Sequence, residues 1–381
     1  MKVEVNKDVF SEAVSFAVKL LPQRTTLPIL SGVLISAEDN AVTISSFDYE
    51  VSAKTRVDAA VDTAGQVLVS GRLLAEIASR LPDDVVNLEL AGSSLSVKSG
   101  SAKFSLATMP IEEYPNLPEV EGIAGSIAGD EFASAVSQVA TAASRDDVTP
   151  VITGVLLDIT ASSLTMMATD RYRVAAKELA WSAAGVAEEG LQALIPARTL
   201  AEIGKTFSHA GSLTITINVG GERELVAFSS AERTVTTLLI KGSFPPVQKL
   251  FPETTPDYAV VSTSDLIEAT RRVALVLERE APLRFTFNAD GVGLEALGSD
   301  QAQASEHIDG HLVGKECVVS LKPQFLIDGL SAAHSDFVRV AFTQTDNPNK
   351  PGPVLITAQT SKDSDDSHNY RYLLQPNLLM R

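Results

Sequence analysis

A chain of 381 residues, of which 45% are hydrophobic, is long enough to bury two or three separate cores. It has no apolar run near the length that a membrane span requires, and its single cysteine, Cys317, excludes an internal disulfide framework and fits a reducing compartment. A net charge of −17 argues against a surface covered with basic residues for general nucleic-acid binding. It leaves room for one basic face, because exposed charges more than about 8–10 Å apart are largely screened at physiological salt.

The first 120 residues predict a strand and a helix followed by strands, twice in succession. In residues 1–21 the helix carries an apolar stripe at a spacing of three to four, and Asp8 is the expected N-cap. A second helix is expected over Arg72–Leu81. Alternating apolar residues predict the strands Leu34–Ala37, Val42–Ser46, Val51–Val57, Val67–Val69, Val85–Leu90, Ser94–Lys98 and Ala102–Ala107. Pro110–Pro118 is extended and polar, which is typical of a linker.

The same order of residues then returns. Pro28–Ile35 is matched by Pro150–Leu157, a shift of 150 − 28 = 122 residues, and the polar turn Asp48–Glu50 is matched at the same shift by Asp170–Tyr172. A repeat of this length indicates a duplicated domain and not a solenoid unit. From Tyr258 the order recurs a third time, more faintly, so we expect an α+β chain of three domains at 1–118, 124–248 and 257–381. Each domain is expected to be a duplicated βαβββ unit.

Little in the sequence indicates catalysis. The five histidines have no metal-ligand spacing except His307 and His311, which flank Gly310 in a strand-to-loop region and not on a helix. There is neither a phosphate-binding glycine loop nor a nucleophile elbow. An enzyme whose polar site is Asp170–Arg173 stays open as an alternative, although no residue names a substrate. We expect no metal and no cofactor.

Basic residues recur on the predicted helices. Arg72, Arg80, Arg198, Lys205, Arg271 and Arg272 lie on or at the start of helices, while Arg24 and Arg145 follow the first helix of their repeats. One interpretation is a set of ordinary solvated helix faces. The other is a single surface, lined by helices from every repeat, that attracts phosphates without regard to base sequence.

Three motifs carry a resemblance to a known family. Arg24–Leu30 (RTTLPIL), Phe104–Pro110 (FSLATMP) and Ala168–Ala175 (ATDRYRVA) closely resemble the bacterial sliding clamps, the beta subunits of DNA polymerase III. The resemblance covers the whole chain in order. The alanine-rich, acidic composition resembles the high-GC Gram-positive (actinobacterial) branch.

The resemblance implies three tandem DNA-clamp domains that form half of a closed ring, with helices inside and sheets outside. Two chains would meet head to tail as a homodimer around double-stranded DNA, in the cytoplasm and without a membrane. Such a ring is a processivity factor without a catalytic site, which tethers the polymerase III alpha subunit, the clamp loader and other clamp-binding-motif proteins. The alternative from another class is an acidic, non-DNA repeat scaffold for protein–protein interaction, which leaves the repeated basic positions unexplained.

The resemblance also implies three sets of site residues. DNA-facing candidates are Arg24, Arg72, Arg80, Arg145, Arg198 and Lys205. Dimer-interface candidates are Phe104, Leu106, Ala274 and Leu275. Candidates for a pocket that receives short apolar peptides are Ile152, Thr169, Tyr172, Arg173, Val174, Pro252, Phe325, Leu373 and Pro376. The chain departs from the family at Gln375 and Asn377, where the family's usual Met-Pro-x-Arg-Leu ending rims the pocket, so peptide preference is expected to differ.

Overall fold

The computed structural model describes residues 1–21, 25–184, 190–218, 223–278, 281–297, 302–343, 351–362, 364 and 369–377, and of 182–184 and 297 only the backbone. These residues form two compact units. Unit 1 comprises Met1–Asp130, Ser182–Val186 and Glu202–Leu239. Unit 2 comprises Glu131–Trp181, Ala187–Ala201 and Ile240–Arg381.

Strands dominate both units. The helices are α1 (Lys7–Lys19), α2 (Gly71–Ala78), α3 (Gly129–Ala140), α4 (Ala197–Phe207), α5 (Thr263–Val273) and α6 (Pro323–Ala332). The strands are β1 (Lys2–Asn6), β2 (Gly32–Glu38), β3 (Ala41–Phe47), β4 (Val51–Asp58), β5 (Ala60–Thr63), β6 (Gly65–Ser70), β7 (Val85–Ala91), β8 (Ser94–Ser99), β9 (Ala102–Met109), β10 (Ile123–Ile127), β11 (Gly154–Ile159), β12 (Ser163–Thr169), β13 (Arg173–Ala180), β14 (Ser182–Ala184), β15 (Leu191–Pro196), β16 (Leu213–Asn218), β17 (Leu225–Ser230), β18 (Arg233–Leu238), β19 (Asp257–Ser262), β20 (Leu283–Asn288), β21 (Gly291–Leu297), β22 (Gln303–Ile308), β23 (Gly310–Val313), β24 (Cys317–Leu321), β25 (Phe337–Phe342), β26 (Val354–Gln359) and β27 (Tyr370–Leu374). Within the described residues, no helix has the length and apolar content needed to cross a bilayer.

Unit 1 is built on one antiparallel sheet, which has 14 strands among the described residues, in the order β14-β10-β16-β17-β18-β4-β3-β2-β6-β9-β8-β7-β1-β5. Helices α1 and α2 cover part of it. Phe10 and Val14 of α1 and Leu74 of α2 are fully buried in a core that they share with the sheet residues Val33 and Leu88. This burial explains the three-to-four spacing of apolar residues in α1.

The start of α1 differs from the sequence expectation. The N-cap is Asn6, whose side-chain oxygen accepts from the backbone N–H groups of Asp8 at 3.0 Å and Val9 at 3.2 Å. The prediction that Asp8 caps the helix was therefore wrong. Asp8 lies in the first turn, where its charge is favourable at the positive end of the helix dipole.

The segment Pro110–Pro118, which the sequence predicts to be an extended, polar linker, is only partly extended and partly buried. It contains a short 3-10 helix, Ile111–Glu113, and the buried Tyr114. The Tyr114 hydroxyl accepts from the backbone N–H of Phe47 at 2.7 Å and donates to the carbonyl of Gly32 at 3.3 Å. These bonds fasten the segment to the ends of β2 and β3.

Unit 2 contains two antiparallel sheets. Among the described residues, one has nine strands in the order β15-β11-β12-β13-β27-β26-β25-β19-β23, and the other has four in the order β22-β21-β20-β24. In the larger sheet β13 pairs with β27, with Arg173 opposite Leu374 and Lys177 opposite Tyr370. Successive side chains of a strand point to opposite faces, so Tyr372 of β27 faces α6, while Leu373 packs in a hydrophobic cluster on the other face of the sheet.

Candidate functional site

The turn between β12 and β13 is fixed by its own side chains. Asp170 Oδ1 accepts from the backbone N–H groups of Tyr172 at 3.0 Å and Arg173 at 3.1 Å. The Thr169 hydroxyl donates to the Arg173 carbonyl at 2.7 Å and accepts from the N–H of Arg171 at 3.2 Å. Arg171 has a φ of 79°, a left-handed conformation that the aspartate-closed turn holds in place. The turn therefore presents Tyr172 and Arg173 in a defined geometry.

Arg173 is the central polar residue of unit 2. Its side chain is 6% exposed, and its Nε lies 2.8 Å from Asp170 Oδ2 while its Nη1 lies 2.6 Å from Asp328 Oδ2. Nη1 also donates to the Tyr372 hydroxyl at 3.1 Å. Burial raises the pKa of Tyr372 well above its usual value, so its hydroxyl stays neutral and can donate in turn. It donates to the backbone carbonyl of Phe325 at 2.8 Å.

Two aromatic rings lie above this polar group, and we call Tyr172 and Phe325 the aromatic ledge. Their ring centroids are 6.2 Å apart, and Tyr172 is 59% exposed. The guanidinium of Arg173 lies over the Phe325 ring at 4.3 Å. The Lys322 ammonium lies 5.3 Å from the Phe325 ring and 5.7 Å from the Tyr172 ring. The ledge thus combines an exposed apolar surface with cations at its base and rim.

A cavity of about 700 Å³ opens beside the aromatic ledge. This volume is typical of sites that enclose a small ligand or a few anchoring side chains. Its described lining residues are Ala143, Ser144, Arg145, Asp146, Val148, Thr149, Ile152, Asp170, Arg171, Tyr172, Arg173, Gln324, Phe325 and Asp328. The structure therefore brings the predicted residues Ile152, Tyr172, Arg173 and Phe325 together at one cavity, with Thr169 buried in the turn beneath it.

The other predicted pocket residues lie elsewhere in unit 2. Val174 and Leu373 are 5% and 4% exposed and pack in a cluster with Val247 and Phe251 on the opposite face of the sheet. Alternation along β13 puts Val174 on the face opposite to Arg173. Pro252 is half-buried and follows Phe251 of that cluster. Pro376 is buried and precedes Asn377, whose N–H donates to the Ser320 carbonyl at 2.8 Å.

Sequence reasoning missed Asp328, Gln324 and Tyr372. Asp328 accepts from Arg173 on one oxygen and from Gln324 Nε2, at 2.7 Å, on the other. The sequence contains one indication of the role of Asp328: it is the only charged residue within the otherwise apolar stretch Phe325–Leu330. A carboxylate among apolar helical residues needs a cationic partner if it is buried.

A second cavity of about 600 Å³ adjoins the first and shares Gln324 and Phe325 with it. It extends to Ala274 and Leu275, two of the dimer-interface candidates, in a short 3-10 helix over Ala274–Val276. Leu275 is 83% exposed, an unusual position for a leucine. Helix α5 ends at Val273, and the 3-10 helix follows it directly.

The remaining dimer candidates lie on β9 of unit 1. Phe104 is 37% exposed, whereas Leu106 is 2% exposed and belongs to the core of unit 1. In the described residues β9 pairs with β8 along 102–107, but with β6 only through Met109 and Thr108. One edge of β9 is therefore open beside Phe104. In unit 2, β22 pairs only with β21 among the described strands, so it also has an open edge.

The DNA-facing candidates are distributed over both units. Arg72 and Arg80 are exposed on and just after α2, and Arg198 and Lys205 are exposed on α4. Lys205 lies 2.7 Å from Glu202 in a solvent-exposed ion pair. Arg145 is exposed at the rim of the 700 Å³ cavity, next to the aromatic ledge. Arg24 lies outside the described residues.

Comparison with known proteins gives a consistent result over the whole chain. Residues 1–118 match the N-terminal domain of the DNA polymerase III beta subunit, residues 126–246 its central domain and residues 248–368 its C-terminal domain. The prediction of an α+β chain of three tandem clamp domains is thereby confirmed.

Two relatives show how similar the chain is to proteins of this kind. It is 41% identical over 377 residues to the beta sliding clamp of Streptomyces coelicolor, covering 99% of each chain. It is 46% identical over 308 residues to that of Micrococcus luteus, covering 81% of this chain and 98% of the relative. The fold matches the crystal structure of the Bacillus subtilis sliding clamp with a TM-score of 0.89 at 24% identity, covering 100% of both chains.

Proposed function

The chain belongs to the DNA polymerase III beta subunit family and is a sliding clamp, and on this premise we propose that two copies close head to tail around duplex DNA. The open edges of β9 and β22 support this arrangement, because an unpaired strand edge is a template for pairing with another chain. Exposed apolar side chains lie near each edge, Phe104 on β9 and Leu275 beside α5. The three-domain division at 1–118, 124–248 and 257–381 is part of the same proposal.

The charge distribution fits a ring that holds DNA by topology. The net charge of −17 disfavours tight binding of phosphates over the whole surface. Exposed basic residues on α2 and α4, such as Arg72 and Arg198, supply a weak attraction that is blind to sequence. Weak contacts let the DNA slide, while the closed ring of two chains prevents the DNA from leaving.

We propose further that the aromatic ledge and its cavity receive short apolar peptides from partner proteins, among them the polymerase III alpha subunit and the clamp loader. The observation that carries this proposal is the exposed Tyr172 ring, held over the buried Arg173 network at the mouth of a 700 Å³ cavity. Peptide recognition of this kind depends on one or two buried anchor side chains. An exposed aromatic residue beside a cavity is suited to that role.

Other parts of the assignment follow from a clamp's role. A clamp tethers enzymes that act on DNA, so we propose that this chain has no catalytic site of its own. We also propose a cytoplasmic location, beside the chromosome. The acidic scaffold without DNA is not favoured, since the relatives are sliding clamps over nearly their full length. The Asp170–Arg173 segment, once an enzyme alternative, is occupied by the internal hydrogen bonds that close the turn.

The ring is tested on circular DNA. After a clamp loader has acted, the chain should stay on a closed circle and leave when the circle is cut once, and its solution mass should be that of two chains. Equal retention on circular and linear DNA would contradict a topological hold and indicate direct binding.

The peptide site is tested with the Tyr172→Ala variant. We expect its affinity for a labelled alpha-subunit peptide to fall roughly tenfold or more, because an anchor platform is lost, while its solution mass stays that of the dimer. Tyr49→Ala is the matched control, since Tyr49 is a 46% exposed tyrosine on the corresponding turn of the first repeat. Unchanged affinity in Tyr172→Ala would refute this placement of the site.

A further inference from the structure

A buried tyrosine connects the two pieces of chain that carry the aromatic ledge. Tyr372 is 0% exposed, so it cannot touch a bound peptide. Its hydroxyl accepts from Arg173, in the turn that presents Tyr172, and donates to the backbone carbonyl of Phe325, in the first turn of α6. The same strand continues to Gln375, whose N–H donates to the Tyr172 carbonyl at 2.9 Å. Strand β27 therefore contacts both halves of the ledge.

We propose that Tyr372 is a positioning residue for peptide capture, and that its hydroxyl holds Phe325 at the distance from Tyr172 that the peptide requires. This inference rests on the proposed peptide site. It assigns a role to a residue that neither lines the cavity nor contacts the partner.

The chemistry of the three groups fixes the direction of the hydrogen bonds. A guanidinium can only donate, so the hydroxyl oxygen of Tyr372 must accept from Arg173. The hydroxyl has a single proton, which is thereby directed to the Phe325 carbonyl. The order Arg173 to Tyr372 to Phe325 permits no alternative arrangement, so the direction of both hydrogen bonds is fixed. Charge on the first donor strengthens it.

The helix side of this connection is closely packed. A Cβ atom built at Gly329 would lie 2.5 Å from Cδ1 and Cε1 of the Tyr372 ring, so a glycine is required for α6 to approach this closely. Asp328, the preceding residue, binds Arg173 from the helix at 2.6 Å. The ring of Tyr372 and the carboxylate of Asp328 therefore hold the second turn of α6, directly after the turn that carries Phe325.

Loss of the Tyr372 hydroxyl removes both of the hydrogen bonds that connect Arg173 to the backbone of Phe325. The Arg173 guanidinium and the Phe325 ring stay 4.3 Å apart only while the first turn of α6 is held. A shift there changes the 6.2 Å separation of the two ledge rings, and with it the fit of an anchor side chain. A net hydrogen bond of ordinary strength corresponds to about a three- to tenfold change in an equilibrium constant.

The chain supplies a closely matched control in Tyr370, two residues earlier on the same strand. Tyr370 is 2% exposed, its ring is 6.5 Å from that of Tyr372, and its hydroxyl donates to the Gly329 carbonyl of the same helix at 3.0 Å. Among the described contacts, its hydroxyl is bonded neither to Arg173 nor to Phe325. Tyr370→Phe and Tyr372→Phe thus remove the same atom from the same strand–helix contact, and only the second cuts the connection to the ledge.

The experiment compares the wild-type chain with Tyr370→Phe, Tyr372→Phe and Tyr172→Ala in the intact dimer. Binding of a fluorescein-labelled peptide from the polymerase III alpha subunit is measured by anisotropy, and thermal unfolding is measured on the same samples. We expect both phenylalanine variants to lose thermal stability, and Tyr372→Phe to lose at least as much as Tyr370→Phe, because its hydroxyl makes two of the described hydrogen bonds and that of Tyr370 makes one. Only Tyr372→Phe should also lose about three- to tenfold in peptide affinity, with Tyr370→Phe within about twofold of wild type.

The outcomes separate this inference from the proposed function. If Tyr172→Ala weakens binding but the two phenylalanine variants bind the peptide equally, the positioning role is overturned and the peptide site stands. If Tyr172→Ala binds as tightly as the wild type, the site itself is misplaced and the positioning role is overturned with it. A selective loss in Tyr372→Phe supports the inference, because a purely structural hydroxyl would affect both variants alike.

Discussion

Replacing Arg173 by alanine tests the network beneath the aromatic ledge. Arg173 is 6% exposed, and its removal leaves two carboxylates, Asp170 and Asp328, whose side chains are 12% and 18% exposed. Breaking a buried ion pair by removing one partner costs about 3–5 kcal/mol, because the other charge stays desolvated. The lower end applies here, since Asp170 keeps two backbone N–H donors and Asp328 keeps the amide of Gln324.

We therefore expect Arg173→Ala to lower the free energy of unfolding by about 3 kcal/mol. For a unit of this size that corresponds to a fall in transition temperature of roughly 2–4 °C per kcal/mol, measured by calorimetry. Arg171→Ala is the control in the same turn. Arg171 is exposed, and within the described residues its side chain makes one hydrogen bond, to Thr149 at 2.6 Å, so its loss should cost less than about 1 kcal/mol.

A double-mutant cycle isolates the contribution of the pair. Asp328→Asn removes the charge that Arg173→Ala leaves unpaired, so the double variant should be more stable than the sum of the single losses predicts, by at least about 1 kcal/mol. Equal costs for Arg173→Ala and Arg171→Ala, or additive losses in the cycle, would refute the argument that Arg173 is the central residue of a buried network.

Two further predictions concern other parts of the chain. Leu275→Asp should raise the dimer dissociation constant by about 10–100-fold, since burying a leucine contributes roughly 1.5–3 kcal/mol, and sedimentation of diluted samples would detect the change. The control is Val85→Asp, at a valine that is 43% exposed, which should leave the solution mass unchanged. A Leu275→Asp variant that stays dimeric on dilution would contradict this interface. Burial, with a smaller effect of Asp257, raises the pKa of the Cys317 thiol from 9.0 to about 11. The folded state then holds this proton more tightly than the unfolded state, so the contribution to stability is complete below pH 9 and is lost as the pH rises through 11. Denaturant unfolding of wild type and Cys317→Ala should show a difference that changes only above about pH 9, and a difference independent of pH would contradict this assignment.

The elements of the fold were largely predictable because each depends on neighbours in sequence. The alternation of apolar residues placed β3, β7 and β8 within a residue of their observed ends, and the turn of Asp170 could be recognised from its composition. The network around Arg173 could not be predicted in this way. Asp328 is 155 residues from Arg173 and Tyr372 is 199, so no local pattern relates them. The pairing of β13 with β27 brings Tyr372 to Arg173, and the packing of α6 against β27 brings Asp328 there.

The first repeat shows why the duplication itself does not specify the site. Its turn has the same backbone bonds, since Asp48 Oδ1 accepts from the N–H groups of Glu50 at 2.9 Å and Val51 at 2.7 Å, and Tyr49 has a φ of 74°. At the same shift of 173 − 51 = 122 residues, however, Val51 stands where the second repeat has Arg173. A valine can neither bind a helix carboxylate nor donate to a tyrosine hydroxyl. The repeated backbone therefore provides a rigid turn, and a single arginine, with partners contributed by α6 and β27, makes one copy of that turn a candidate for peptide binding.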